Sequence, residues 1–201
     1  MLLNALFWAL LGFWLGAIPF SVLIGKAALK KDIRLYGDGN PGGTNVIRAG
    51  GRLWGIAAIL LDYFKGAVPV GLAHFVAGMT GWPLVIVALA PVMGHAYSPF
   101  LGYRGGKAVA VTFGVWAGLT LWAGPTVLGL SLGLWFAILV GDAWVVTLSM
   151  AGLLAYLLLS HAELPVMAIW LGNALILIWK HRAGLTHGPG LRPWLRGVTE
   201  R

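Results

Sequence analysis

Two glycine-rich segments carry the residues of this chain best suited to chemistry, and both are basic. The first, Gly37-Asp38-Gly39-Asn40-Pro41-Gly42-Gly43-Thr44-Asn45, is followed by Arg48. Glycine admits backbone turns with positive φ, so successive N–H groups can face one side and form a nest for an anion. Thr44 and Asn45 are placed to cap a short helix, whose N-terminal dipole favours a phosphate, with Arg48 one turn along it. The second segment, Arg104-Gly105-Gly106-Lys107, leads into an apolar stretch. Lys107 at that helix start sets an ammonium beside free backbone N–H groups. A charge-assisted bond from such a lysine to a phosphate contributes ~1.5–3 kcal/mol. Taken singly, the segments also read as a flexible glycine turn and a cationic span anchor. Taken together they favour a site for an anionic, phosphorylated substrate.

The remaining polar residues limit the chemistry further. Gly37-x-Gly39-x-x-Gly42 matches a dinucleotide fingerprint by letter, but that motif needs a preceding strand, and here an apolar run and a basic stretch precede it. Gly105-Gly106-Lys107 is not a Walker A loop, since Leu101 stands at its first glycine and Ala108 at its Ser/Thr. Asp62 and Lys65, at i and i+3 inside an apolar stretch, are either functional or a mutual pair that fixes helix packing. His95 and His181 lie beside the basic loops, His74 and His161 lie on the other side, and His187 is in the tail. No histidine pair has metal-ligand spacing, and without cysteine there is no thiolate nucleophile or Cys-based metal site. No metal or cofactor is expected. A histidine followed five positions later by aspartate is absent.

The elements that must position these residues are membrane spans. The chain has 201 residues, 59% hydrophobic and 10% charged, with mean hydropathy +0.86. A soluble domain averages about 25% charged residues, so this composition describes an all-α, polytopic integral membrane protein. It reads as one domain over residues 1–201. With ~20 apolar residues per span, clear spans fall near 3–25, 53–73, 124–140, 144–160 and 164–180. Two shorter ones, 82–94 and 107–121, are broken by Pro91 and flank a 95–106 loop. That makes seven transmembrane helices, although the stretches either side of Gly124-Pro125 also read as one long kinked helix.

Charge sets the orientation. Of the 14 Lys and Arg, six lie in 26–52, two in 104–107 and five from Lys180 onward, and Lys65 is the exception. The loops near 74–81, 121–124 and 161–163 have none. By the positive-inside rule the N-terminus is outside and the C-terminus cytoplasmic. The net charge of +8 therefore points to membrane orientation and anionic headgroups rather than nucleic acid. Met1-Leu2-Leu3-Asn4 lacks the basic region of a signal peptide, so the first apolar run reads as a retained span. Gly12-x-x-x-Gly16, Gly114-x-x-x-Gly118 and Gly129-x-x-x-Gly133 read as close helix-packing motifs. No inverted repeat of the transporter kind is evident.

In order along the chain stand Gly37-x-Gly39-Asn40-Pro41-Gly42-Gly43-Thr44-Asn45-Val46-x-Arg48, Asp62-x-x-Lys65-Gly66, Gly94-His95-x-Tyr97, Phe100-Leu101-Gly102-Tyr103-Arg104-Gly105-Gly106-Lys107 and His181-Arg182. Over nearly its whole length the chain thereby resembles the bacterial acyl-phosphate:glycerol-3-phosphate acyltransferases, the PlsY family. The resemblance implies a seven-helix fold in the bacterial inner membrane with the site facing the cytoplasm. It implies transfer of an acyl group from acyl phosphate to glycerol 3-phosphate, giving lysophosphatidic acid and phosphate. The substrate's own phosphate would assist proton removal, in keeping with the missing His/Asp pair, and no protein residue would act as general base. Asn40, Thr44, Asn45, Arg48 and Lys107 would hold phosphate groups, Lys107 and Thr44 acting electrostatically. Gly105 and Gly106 would allow close backbone approach, His181 would orient the glycerol or leaving phosphate, and His95 would shape the loop. Ser149 matches a family serine. The acyl tail would lie between helices, open to the bilayer. The partners implied are acyl phosphate, glycerol 3-phosphate and membrane lipids, with a homodimer as an option.

The chain departs from the family pattern at several positions. Asp38 replaces a serine, and would either turn away or pair with a cation such as Arg48 or Arg34. Ala108 and Val111 replace the Gly and Thr after the lysine, and Ser98-Pro99 shifts a proline by one position. The turn at Asp142 lacks the usual cations, and Gly184 and His187 stand where Asn and Arg are usual. These departures keep two alternatives in view, a small-anion transporter and a non-catalytic lipid-binding paralogue.

Overall fold

The computed structural model describes residues 2–195. Its helices are α1 (Leu2–Ala17), α2 (Phe20–Ala28), α3 (Gly43–Arg48), α4 (Arg52–Gly71), α5 (Gly81–Ala96), α6 (Val109–Thr120), α7 (Ala123–Ile138), α8 (Asp142–Leu159) and α9 (Leu164–Leu185). A π-helical turn, Leu72–Val76, extends α4, and single 3-10 turns occur at Ile33–Leu35 and Pro99–Leu101. Two short strands, β1 (Leu139–Val140) and β2 (Gly190–Leu191), pair antiparallel with Leu139 opposite Leu191.

Among the described residues, five segments are long and apolar enough to cross a membrane: Leu2–Ala28, Arg52–Val76, Gly81–Leu101, Asp142–Leu159 and Leu164–Leu185. Helices α6 and α7 are apolar but have only 12 and 16 residues. At 1.5 Å per residue they reach ~18 and ~24 Å, short of a ~30 Å hydrocarbon core. Large apolar side chains such as Leu3, Leu130, Leu159 and Leu175 face outward, as suits contact with lipid rather than water.

Helix α1 packs along α5, and α4 along α6. Both contacts depend on glycine. A Cβ on Gly94 would collide with the Phe13 carbonyl of α1, and one on Gly114 with the Tyr63 carbonyl of α4. Gly12, Gly16 and Gly118 also face neighbouring backbone or proline, as their spacing suggests. The Gly129/Gly133 pair does not act this way, because nothing lies within 4 Å of a Cβ on Gly133. Helices α7, α8 and α9 follow as successive neighbours.

The spans differ from the sequence reading in three places, and in a further one the structure decides between its two alternatives. The first is broken rather than continuous. Pro19 has no N–H to continue the helix, and the Ile18 N–H closes a tighter turn onto the Leu15 carbonyl at 3.2 Å. Pro91, by contrast, does not break α5, which runs unbroken to Ala96 with Pro91 packed against Gly16. Around Gly124-Pro125 there are two helices. Leu121 turns the chain with φ 56°, and the Thr120 hydroxyl accepts the Gly124 N–H at 2.8 Å at the start of α7. Finally, α9 continues to Leu185, so Lys180, His181 and Arg182 stand on a helix rather than in a tail.

The break at Pro19 frees carbonyls where water is scarce, and backbone groups in an apolar interior must find partners. The Ser98 hydroxyl donates to the Ala17 carbonyl at 2.6 Å, and the Lys65 ammonium donates to the Ile18 carbonyl at 3.0 Å. Lys65 also pairs with Asp62 at 2.7 Å, both side chains being 5% exposed or less. Asp62 accepts from the Ser21 hydroxyl at 3.3 Å and lies 3.7 Å from His95 Nδ1. The cluster joins α1, α2, α4 and α5 and borders a cavity of about 10 Å³ lined also by Pro41 and Gly106. That volume holds about one water molecule. Asp62 and Lys65 therefore form a mutual ion pair, in keeping with the packing reading of the two sequence alternatives.

Lys65→Met is expected to lower stability by ~3–5 kcal/mol, because it strands a buried carboxylate. Adding Asp62→Asn removes that charge as well and is expected to restore most of the loss. Thermal unfolding in detergent measures both. Equal destabilisation of the single and double variants would show that the packing does not depend on this charge balance.

Candidate functional site

The first glycine loop is shaped by local geometry and by one asparagine. Gly37 and Gly39 take φ 59° and 73°, left-handed values that glycine adopts without a Cβ clash. Contrary to the expected cap, neither Thr44 nor Asn45 caps α3; Gly42 is its N-cap residue, with no side-chain bond. Asn45 instead reaches back into the loop, where its amide donates to the Asn40 carbonyl and to Asp38 Oδ1, both at 2.9 Å. Its own Oδ1 accepts from Arg48 Nη1 at 3.0 Å. Asp38 thus sits inside the loop, where it also accepts the Asn40 N–H at 3.3 Å.

The second glycine segment is pressed against the end of α5. A Cβ on Gly105 would come within 2.8 Å of the Ala96 carbonyl carbon, and one on Gly106 within 3.1 Å of the His95 ring carbons. The Gly106 N–H donates to the His95 carbonyl at 3.1 Å. From α9, Lys180 Nζ donates to the Ala96 and Gly105 carbonyls at 2.8 and 2.9 Å. His95 is buried and shapes this segment through its ring and its carbonyl. Helix α6 begins two residues after Lys107, with Ala108 as its N-cap at φ 64°. An alanine holds this left-handed conformation at a cost of ~1–2 kcal/mol that glycine avoids.

Both segments meet at Lys107. Its ammonium lies 2.7 Å from Asp38 Oδ2 and 2.5 Å from Asp142 Oδ2, in the first turn of α8. Arg48 Nη1 is 3.6 Å from Asp38. Asp38 is therefore paired with Lys107 and Arg48, and not with Arg34, which is bound to Asp32 at 2.6 Å. Partial burial would raise the Asp38 pKa, but the Lys107 ammonium and the Asn45 and Asn40 N–H groups hold it at about 2. Burial likewise opposes the charge on Lys107, and its bonds to Asp142 and Asp38 raise its pKa above the ordinary lysine value. The cluster is a neutral set in which two carboxylates face two cations.

His181 lies near this cluster, within electrostatic reach of Lys107, Asp142 and Asp38. Its Nδ1 is 2.8 Å from the Leu177 carbonyl, which can only accept, so Nδ1 carries the proton and Nε2 presents a lone pair. Thr44 is exposed on the first turn of α3. Ser149 is fully buried, donates to the Val145 carbonyl of its own helix at 2.5 Å, and lies ~10 Å along α8 from Asp142. The structure thus brings together Asn40, Asn45, Arg48, Lys107 and His181, packs Gly105, Gly106 and His95 beneath them, and leaves Ser149 apart. Sequence reasoning missed Asp142 and Lys180 as site residues. Their partners lie 35 to 84 residues away in the chain, so no local spacing signals them.

An apolar groove of about 280 Å³ runs between α4 and the far end of α6, lined by residues including Tyr63, Phe64, Gly71, Phe75, Gly118 and Trp122.

The profile of the family described as glycerol-3-phosphate acyltransferase matches residues 6–187. Glycerol-3-phosphate acyltransferase 1 of Thermotoga maritima is 39% identical over 199 residues, covering 91% of this chain and 94% of that protein. The glycerol-3-phosphate acyltransferase of Aquifex aeolicus is 36% identical, covering 91% and 94%. Among solved structures, PlsY, an integral membrane glycerol 3-phosphate acyltransferase, superposes in its glycerol 3-phosphate form with a TM-score of 0.82 at 30% identity. Its lysophosphatidic acid form gives 0.81 at 29%, and each covers 90% of both chains.

Proposed function

This chain belongs to the glycerol-3-phosphate acyltransferase family of integral membrane enzymes, and we propose that it draws its acyl group from an acyl phosphate. The glycerol 3-phosphate hydroxyl forms the ester bond to the acyl carbonyl carbon, and the bond from that carbon to the phosphate oxygen breaks. The products are lysophosphatidic acid and phosphate, and the hydroxyl proton passes to a phosphate oxygen. The observation that carries this reading is Lys107 with an anionic group against it on two sides. An ammonium so placed can face two substrate phosphates at once, the one that leaves and the one that stays. Asn40, Asn45 and Arg48 complete the cradle, Thr44 stands at its rim, and His181 Nε2 is available to orient the glycerol hydroxyl. Ser149 contributes through the packing of α8. The apolar groove between α4 and α6 is our candidate for the acyl tail.

The fold is read as seven crossings, α6 and α7 being short ones, with the N-terminus outside and the site at the cytoplasmic face of a bacterial inner membrane. This reading rests on the cationic loops and on the positive-inside rule.

Lys107→Ala is expected to cut turnover with acyl phosphate and radiolabelled glycerol 3-phosphate at least ~tenfold. The loss should exceed that of a single contact, because the substitution also leaves Asp38 and Asp142 unneutralised against incoming phosphate. Wild-type turnover in a folded Lys107→Ala protein would refute the assignment. For topology, the cysteine-free chain allows single cysteines to be placed directly. Gly188→Cys and Tyr103→Cys should react with impermeant reagents only from the cytoplasmic side, and Ala77→Cys only from outside. Labelling of all three from one side would overturn the orientation.

A further inference from the structure

The two carboxylates on Lys107 are held very differently. Asp38 accepts from the Asn45 amide and the Asn40 N–H and lies beside Arg48, so its loop keeps it in place whether or not Lys107 is there. Asp142 has a side chain 63% exposed, and among the described residues Lys107 is its one hydrogen-bond and ion-pair partner. Yet its backbone is fixed from the other side. The strands β1 and β2 tie the α7–α8 turn to the tail, and Arg192 Nε donates to the Phe136 and Leu139 carbonyls at 3.0 and 3.1 Å. Trp144 Nε1 donates to the His187 carbonyl at 2.7 Å. The tail therefore delivers Asp142 to Lys107; the ion pair itself does not have to.

We propose that Asp142 is a displaceable stand-in for substrate phosphate, and that it sets how strongly the site discriminates between anions. This rests on reading the Lys107 cluster as a phosphate cradle. With both carboxylates in place, Lys107 and Arg48 are fully matched and offer no net positive charge to a ligand. One carboxylate must leave when a phosphate dianion binds. Asp142 leaves at the lower cost, since its carboxylate is exposed and its bond to Lys107 is all that holds it. Asp38 would have to abandon two N–H donors as well. A dianion brings more charge and more acceptor oxygens than the carboxylate it replaces, whereas a monoanion only matches it. Asp142 thereby favours phosphate esters over monoanions and keeps the lysine paired between turnovers.

Titration calorimetry of inorganic phosphate and of glycerol 3-phosphate into the full-length protein in detergent tests this directly. Asp142→Asn should tighten both by roughly two- to fivefold, the range of an exposed ion pair. In turnover assays the same factor should appear as a lower KM rather than a higher kcat. Asp142→Glu, which restores the charge, should return affinity toward wild type. If Asp142→Asn folds poorly at the start of α8, Asp142→Ser should show the same tightening. Unchanged or weaker phosphate binding would overturn the proposal, and so would a fall in kcat at constant KM, which would make Asp142 a direct participant. Tighter phosphate binding in a protein that transfers no acyl group would leave this inference standing and remove the acyltransferase reading.

Discussion

The rest of the structure depends on Lys65 and Asp62, a charge pair buried among apolar helices. An unpaired ion there would cost several kcal/mol, and the pair is retained because each member does a second job. Lys65 donates to the Ile18 carbonyl at the helix break, beside the Phe20 N–H, so the first span can be interrupted at Pro19 before α2 begins. Asp62 accepts from Ser21 on α2 and faces His95 on α5. His95 in turn sits against Gly106. One ion pair thus governs the exit of the first basic loop and the support beneath the second. The two glycine segments can converge because both lean on the same buried cluster.

What converges is a balanced set of charges rather than an open patch of cations. Asp38 and the bare turn at Asp142 look, along the chain, like two separate losses from an acyltransferase site. In the fold they meet on one lysine. Asp38 would repel phosphate if it stood free among the loop glycines, but its charge is already consumed by Lys107, Asn45 and Arg48. The pairing keeps Lys107 charged. Affinity at such a site is a difference between two sets of ion pairs, so it depends on which carboxylate gives way more easily than on how many cations are present.

Backbone conformation contributes a constraint of its own. Gly37 and Gly39 take left-handed values in the loop that wraps Asp38, and Gly105 and Gly106 allow the second segment to lie flat against α5. Ala108 holds a left-handed conformation immediately after the lysine, at the start of α6. The strain is tolerated because Lys107 is fixed on one side and α6 packs against α4 on the other. Lys180 stitches Ala96 and Gly105 together from a third helix, which leaves the segment little room to relax.

Composition and hydropathy alone determined that the chain is a helical membrane protein, because lipid imposes a long apolar run on anything that crosses it. The ordered motifs alone determined the family, since glycine, asparagine and lysine at those spacings answer to one local backbone shape. Arg48 one turn beyond Asn45 was legible for the same reason. Tertiary structure decided the rest. The interruption at Pro19 and the continuity through Pro91 depend on which neighbouring helix accepts or shields the freed backbone groups. Arg48 was legible as one partner of Asp38, but the closer one, Lys107, could not be read locally, because only the folding of α4, α5 and α6 brings it there. Asp142 and Lys180 carried no signal at all, since a charge at a span end looks like an orientation anchor until its partner arrives from another helix. Local sequence specifies backbone shape and solvent preference, whereas ion pairs between distant segments exist only once packing has set the distance between them.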